Sequence, residues 1–150
     1  MKRLFFAAIL LSGISCVFCS CSKSEDEEKQ DLLVGCWVDT DLIEENELYS
    51  YIEFTSNGLF YWYEFKSPEG TENEVYPTFE NGTLYLSKGY SWERQNTWEY
   101  WVKEGYLFST RPLSTGMKIV SLGNDKVVLQ SGENGDEEVY LRVKQFKTKE

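Results

Sequence analysis

The strongest constraint in this sequence is the short, regular spacing of its turn signals. Ser56-Asn57-Gly58, Pro68-Glu69-Gly70, Asn81-Gly82, Lys88-Gly89, Glu104-Gly105, Gly123-Asn124-Asp125 and Gly132-Glu133-Asn134-Gly135 punctuate the chain. Between them lie runs of Tyr, Phe, Trp, Val, Ile and Thr, side chains that suit a pleated sheet better than a helix. The pattern predicts an all-β fold with strands at about 34–39, 49–55, 59–66, 75–80, 83–87, 97–103, 106–110, 117–122, 126–130 and 138–144. The Asn-Gly pairs supply the positive φ angles of tight hairpins, so consecutive strands should pair. A row of eight to ten short antiparallel strands has two exposed edges, and closing it into an up-and-down β-barrel removes both. The acidic stretch 39–48 has only Leu42, Ile43 and Leu48 as apolar positions and is read as a loop, one that could cap a barrel end.

Aromatic side chains number 24 of 150 and concentrate in 49–65 and 90–108. Strand alternation puts Leu59, Tyr61, Tyr63 and Phe65 on one face and Phe60, Trp62 and Glu64 on the other. In 98–102 it opposes Trp98, Tyr100 and Val102 to Glu99 and Trp101. Two readings stay open. Either Trp62, Tyr100 and Trp101 form a site that stacks an apolar or ring-bearing ligand, or they belong to a packed aromatic core with cross-strand pairs.

The N-terminus has a different character. Lys2 and Arg3 precede an apolar run from Leu4 to Phe18, and Ser20-Cys21 is followed by a charged stretch through Asp31. A membrane-spanning helix needs about 20 consecutive apolar residues. This run is shorter and broken by Ser12, Gly13 and Ser15, which fits a cleaved secretory signal, residues 1–20, better than an anchor helix. Cys16, Cys19 and Cys21 compete as the processed residue. Cys21 is preferred because small Ser20 precedes it and the charged segment starts directly after it. Residues 22–31 carry no apolar side chain, so 21–31 is expected to be a flexible acidic tether and 32–150 a single folded domain. Cys36 then has no intramolecular partner, and is read as a small buried hydrophobe in preference to a reactive thiol.

The formal charge is −10, and removing residues 1–20 takes away Lys2 and Arg3 and no acid, leaving −12. A surface this acidic argues against nucleic acid and against adsorption to anionic lipid headgroups. The chain has no histidine, hence neither the usual general base at neutral pH nor the commonest metal ligand. The acidic groups Glu44-Glu45-Asn46-Glu47 and Asp136-Glu137-Glu138 lack the spacing of a calcium loop and are read as solvated loops. Asn81-Gly82-Thr83 matches a glycosylation sequon but is read as a hairpin turn. No catalytic residues, metal or cofactor are expected.

Several motifs carry a resemblance. Gly35-Cys36-Trp37 is a G-x-W at the first strand; Phe54-Thr55-Ser56-Asn57-Gly58, the aromatic W-x-Y strand, Lys126-Val127-Val128-Leu129 and the arginine-bearing Val139-Tyr140-Leu141-Arg142 follow in order. The N-terminus resembles a bacterial lipoprotein signal with the acidic export run of Bacteroidetes lipoproteins. The whole chain resembles the short lipocalin-like lipoproteins of that group. The resemblance implies acylation at Cys21, including palmitate, and an outer-membrane location exposed on the cell surface. It also implies structural roles for Gly35, Trp37 and Arg142: Trp37 would plug one barrel end and Arg142 would lie across its indole. The expected function is binding of a small apolar or ring-bearing ligand in or at the barrel without catalysis. The alternative is a protein-interaction module or accessory subunit of an outer-membrane complex.

Overall fold

The computed structural model describes residues 22–150; the expected signal segment 1–20 and Cys21 lie outside the described residues. The fold is mostly β. Eight antiparallel strands close into a ring: β1 (Gly35–Asp39), β2 (Ser50–Phe54), β3 (Leu59–Lys66), β6 (Ser91–Lys103), β7 (Tyr106–Ser109), β8 (Met117–Leu122), β9 (Lys126–Ser131) and β10 (Glu137–Val143). Each pairs with the next in that order, and β10 returns to β1 with Trp37 opposite Arg142. Between β3 and β6 the chain makes a hairpin of β4 (Thr78–Glu80) and β5 (Thr83–Ser87), turning at Asn81-Gly82, both at positive φ. This hairpin is outside the ring. Its partner is a strand that the sequence reading missed, β11 (Gln145–Lys149), which runs parallel to β5.

The three-stranded side sheet explains why both faces of β3 are aromatic. Phe60 faces the ring interior with Phe54, Tyr100, Val102, Leu107, Ile119, Val127 and Leu129. Tyr63 faces outward into a second core made by Val38, Leu48, Tyr51, Leu84 and Val143. There Tyr63 stacks on Tyr51 at 4.6 Å, and Trp92 meets Tyr51 edge-on at 4.9 Å. The sheet is therefore buried on both sides along β1, β2, β3 and β10, and alternation there separates two cores instead of core from solvent. Cys36 packs against the outer core, where burial pushes its thiol up to about 12, so it stays protonated and unreactive at neutral pH.

Two expectations about helices are corrected. The segment read as a flexible tether, 21–31, holds most of α1 (Glu25–Leu33), which runs on into the segment read as the folded domain. Ser24 and Glu27 form a capping box, and Lys29 pairs with Glu25 one turn back at 2.6 Å. The helix docks through polar groups, which an apolar-stripe criterion cannot detect. The Asp26 carboxylate accepts hydrogen bonds from Glu104 N and Gly105 N at 2.7 and 3.1 Å, capping the β6–β7 turn. Gln30 Oε1 accepts from Val102 N. Only Leu33, fully buried, enters the ring. The stretch read as a loop after β1 contains a short helix, α2 (Thr40–Glu44), started by Asp39 accepting from Asp41 N at 3.0 Å. Leu42 and Ile43 turn onto the outer core.

Leu33, Trp37 and Arg142 plug the end of the ring beneath α1. Trp37 is 0% exposed, and its Nε1 donates to Leu33 O at 2.7 Å. The Arg142 guanidinium lies 4.1 Å from the centre of its ring and donates to Val34 O at 2.6 Å, and also to Leu32 O and Asn124 O. Gly35 sits at φ +136°, and a Cβ there would overlap the guanidinium, so the G-x-W glycine makes room for the arginine. Trp37→Ala is expected to lower unfolding free energy by about 3–5 kcal/mol in urea titrations. Arg142→Ala should cost less, about 1–3 kcal/mol.

The α1 dock carries a pH dependence of its own. Hydrogen bonds from Glu104 N and Gly105 N hold the Asp26 carboxyl below its ordinary value of 3.8. A lowered carboxyl stabilises the folded state above its unfolded pKa and loses that effect as pH falls through the folded one. The Glu104 and Gly105 amide resonances should therefore titrate with a midpoint below 3.8 in NMR spectra, and Asp26→Ala should remove the transition.

Candidate ligand-binding site

The ring is plugged at one end only. In its other half β7 and β8 pair only at Tyr106–Lys118 and Leu107–Met117, and a cavity of about 140 Å³ opens beside the loop 110–116. Ile52, Phe54, Phe60, Leu107, Met117 and Leu129 make its apolar wall, while Ser109, Arg111, Ser114, Glu138 and Tyr140 supply polar groups. Trp62 belongs to both parts. A second cavity of about 90 Å³, near Asp39 and Tyr49, shares Ile52, Trp62 and Tyr140 with the first.

Strand geometry explains this arrangement. Glu138, Tyr140 and Arg142 alternate along β10, so the face that brings Arg142 onto Trp37 brings the other two into the cavity. Tyr140 Oη donates to Glu138 Oε2 at 2.8 Å. Burial foremost, then the nearby Glu138 charge, raises the Tyr140 phenol far above its ordinary value, which keeps it a donor at neutral pH. Arg111 follows β7, just before Pro112, and its guanidinium carbon lies 4.9 Å from the Trp62 ring and 5.7 Å from the Trp98 ring. Ser109 and Ser114 are joined through their hydroxyls at 3.2 Å. Asp39, at the start of α2, has its carboxyl raised by burial, partly offset by the Asp41 N hydrogen bond.

Of the three aromatic residues proposed from sequence, the structure places only Trp62 in the cavity wall. Tyr100 points inward but sits in the plugged half, 3% exposed, with Oη donating to Thr55 O at 2.8 Å. Trp101 points outward, 41% exposed, and stacks over Phe108 at 5.8 Å. The grouping is corrected accordingly: adjacent residues on β6 necessarily face opposite ways. Glu138 and Tyr140 went unnoticed although they share a face with Arg142, which could have revealed them. Arg111 lies beyond its strand, where alternation says nothing.

Among the described residues no group of three or more His, Cys, Asp or Glu is gathered to hold a metal ion, and no helix is long and apolar enough to cross a membrane. Comparison with protein-family models, with curated proteins and with solved structures finds no match to this chain.

The different positions of Tyr100 and Trp101 give separable outcomes. Tyr100→Ala should destabilise the protein by about 3–5 kcal/mol as a large core truncation. Trp101→Ala should shift it by less than about 1 kcal/mol, since its outer face is already solvated. Thermal unfolding of the two variants measures the difference.

Proposed function

We propose that this protein is a lipid-anchored, lipocalin-like β-barrel that holds one small ring-bearing molecule inside its open half and does not turn it over. The observation that carries this reading is the asymmetry of the ring interior: closed by Leu33, Trp37 and Arg142 at one end, with the smaller cavity reaching Trp37 from the side, and hollow and apolar with a polar rim at the other. An apolar cavity of about 150 Å³ accommodates a benzene-sized ring, so 140 Å³ sets the scale of the guest. The order of the G-x-W, hairpin and last-strand arginine motifs supports the lipocalin-like assignment, as does the Arg142–Trp37 stack.

Acylation at Cys21 would fix the orientation. Only Ser22, Lys23 and Ser24 separate that cysteine from α1, a reach of about 10 Å. The first turn of α1 docks on the β6–β7 turn at the plugged end. The plugged end would then face the outer membrane and the open end the surroundings. A second reading, interaction with another protein, is favoured by exposed Trp101 stacked on Phe108 outside the ring.

Two measurements test these readings. Native mass spectrometry of protein purified from its own host is expected to show a retained small molecule, and Leu129→Trp, which fills the cavity, should release it while the fold persists. A companion chain in place of a small molecule, lost in Trp101→Ala, would favour the second reading. For the anchor, Cys21→Ala should leave an uncleaved, unacylated precursor; intact lipidation of that variant would move the site to Cys16.

A further inference from the structure

Two hydrogen-bond donors on side chains that line the cavity are left unused by the protein itself. Trp62 Nε1 is sealed from solvent and has no acceptor among the described residues. Native proteins seldom leave a buried donor unsatisfied, and those that remain point to a missing partner. Arg111 is the second. It stacks near the same indole at 4.9 Å and takes part in none of the ion pairs found among the described residues, Lys23–Asp31, Lys29–Glu25, Lys66–Glu93 and Lys144–Asp125. The one carboxylate in the cavity wall, Glu138, accepts from Tyr140 instead.

Two unused donors on side chains stacked one over the other, one of them cationic, call for one acceptor group with negative charge. A carboxylate meets that demand because its two oxygens accept separately and a guanidinium binds it with charge-assisted bonds. The apolar wall behind, and a volume of about 140 Å³, leave room for a single ring. We infer that the cavity selects a monocyclic carboxylate, its ring against Phe60 and Met117 and its carboxylate on Arg111 and Trp62 Nε1. This deepens the proposed interior binding and rests on it. The net charge of −10 repels anions at long range. At physiological ionic strength that repulsion is screened beyond about 8 Å, so the preference is decided inside the cavity, between the Arg111 guanidinium and the Glu138 carboxylate that Tyr140 already holds.

The test compares three monocyclic probes of similar size and different charge, benzoate, benzyl alcohol and benzylammonium, titrated against the full chain in detergent by calorimetry and tryptophan fluorescence. Benzoate should bind about tenfold more tightly than benzyl alcohol, the scale of one hydrogen bond to a charged group. Arg111→Gln, at an exposed position, should bring the two to parity. Trp62→Phe, which keeps the ring and removes the N–H, should lose part of the advantage. Equal binding of benzoate and benzyl alcohol, preference for benzylammonium, or an advantage unchanged in Arg111→Gln would overturn the carboxylate assignment while leaving interior binding in place. Failure of all three probes would overturn the interior-binding reading and this inference together.

Discussion

Arg142 joins three segments that are remote in the chain. Its guanidinium donates to carbonyls of Leu32 and Val34 at the entry to β1 and of Asn124 in the β8–β9 turn, while its face covers Trp37. Partial burial alone lowers the arginine pKa, the mark of a charge moved out of water. The three carbonyls and the indole face offset that loss, and together they hold the β1–β10 seam shut. Everything else in the ring follows from the seam: with β1 and β10 joined, no edge strand remains there, and Leu33 is pressed into the end of the core.

The second core has a different logic. Val38, Tyr51 and Val143 lie on the outside of the ring, where an isolated closed sheet would carry polar residues. They are apolar because β4, β5 and β11 cover them. The cover is tied down where the chain leaves β10, as Lys144 N and Gln145 N both donate to Gly82 O. Surface ion pairs add little by comparison, since all four have a well-exposed partner.

What could be read from the residues follows from which forces are local. β3, β5 and β8 begin and end where the turn residues and alternation place them, because hairpin chemistry is written in adjacent residues. The Trp37–Arg142 contact was legible through a motif at each end of the chain. By contrast, α1 is held by Asp26 and Gln30 against backbone groups more than seventy residues away, and hydrophilic sequence looked like a tether. β6 begins at Ser91, not near 97, because its first half pairs with the end of β3 beyond a bulge at Trp62/Tyr63. β11 escaped notice because Gln145–Lys149 is exposed and mostly polar, and its pairing depends on a parallel neighbour, β5, that lies outside the ring and far back in the chain. Trp62 was found from composition, and its partners were not, since Arg111 and Glu138 converge only after the ring has closed.

The β1–β10 seam also sets the order in which the molecule can be completed. Cys36 pairs with Val143, so the contact that closes the ring joins nearly the first residue of the sheet to nearly its last. A chain emerging from its N-terminus can form the β2–β3 and β6–β7 hairpins early, but β1 has only one neighbour until β10 arrives. Such late, long-range pairing makes folding slow compared with a helical protein of equal size. Until it happens, the open edge of β1 and the uncovered indole of Trp37 are exposed to other chains, and a delay before residue 143 becomes available is the period of greatest exposure to aggregation.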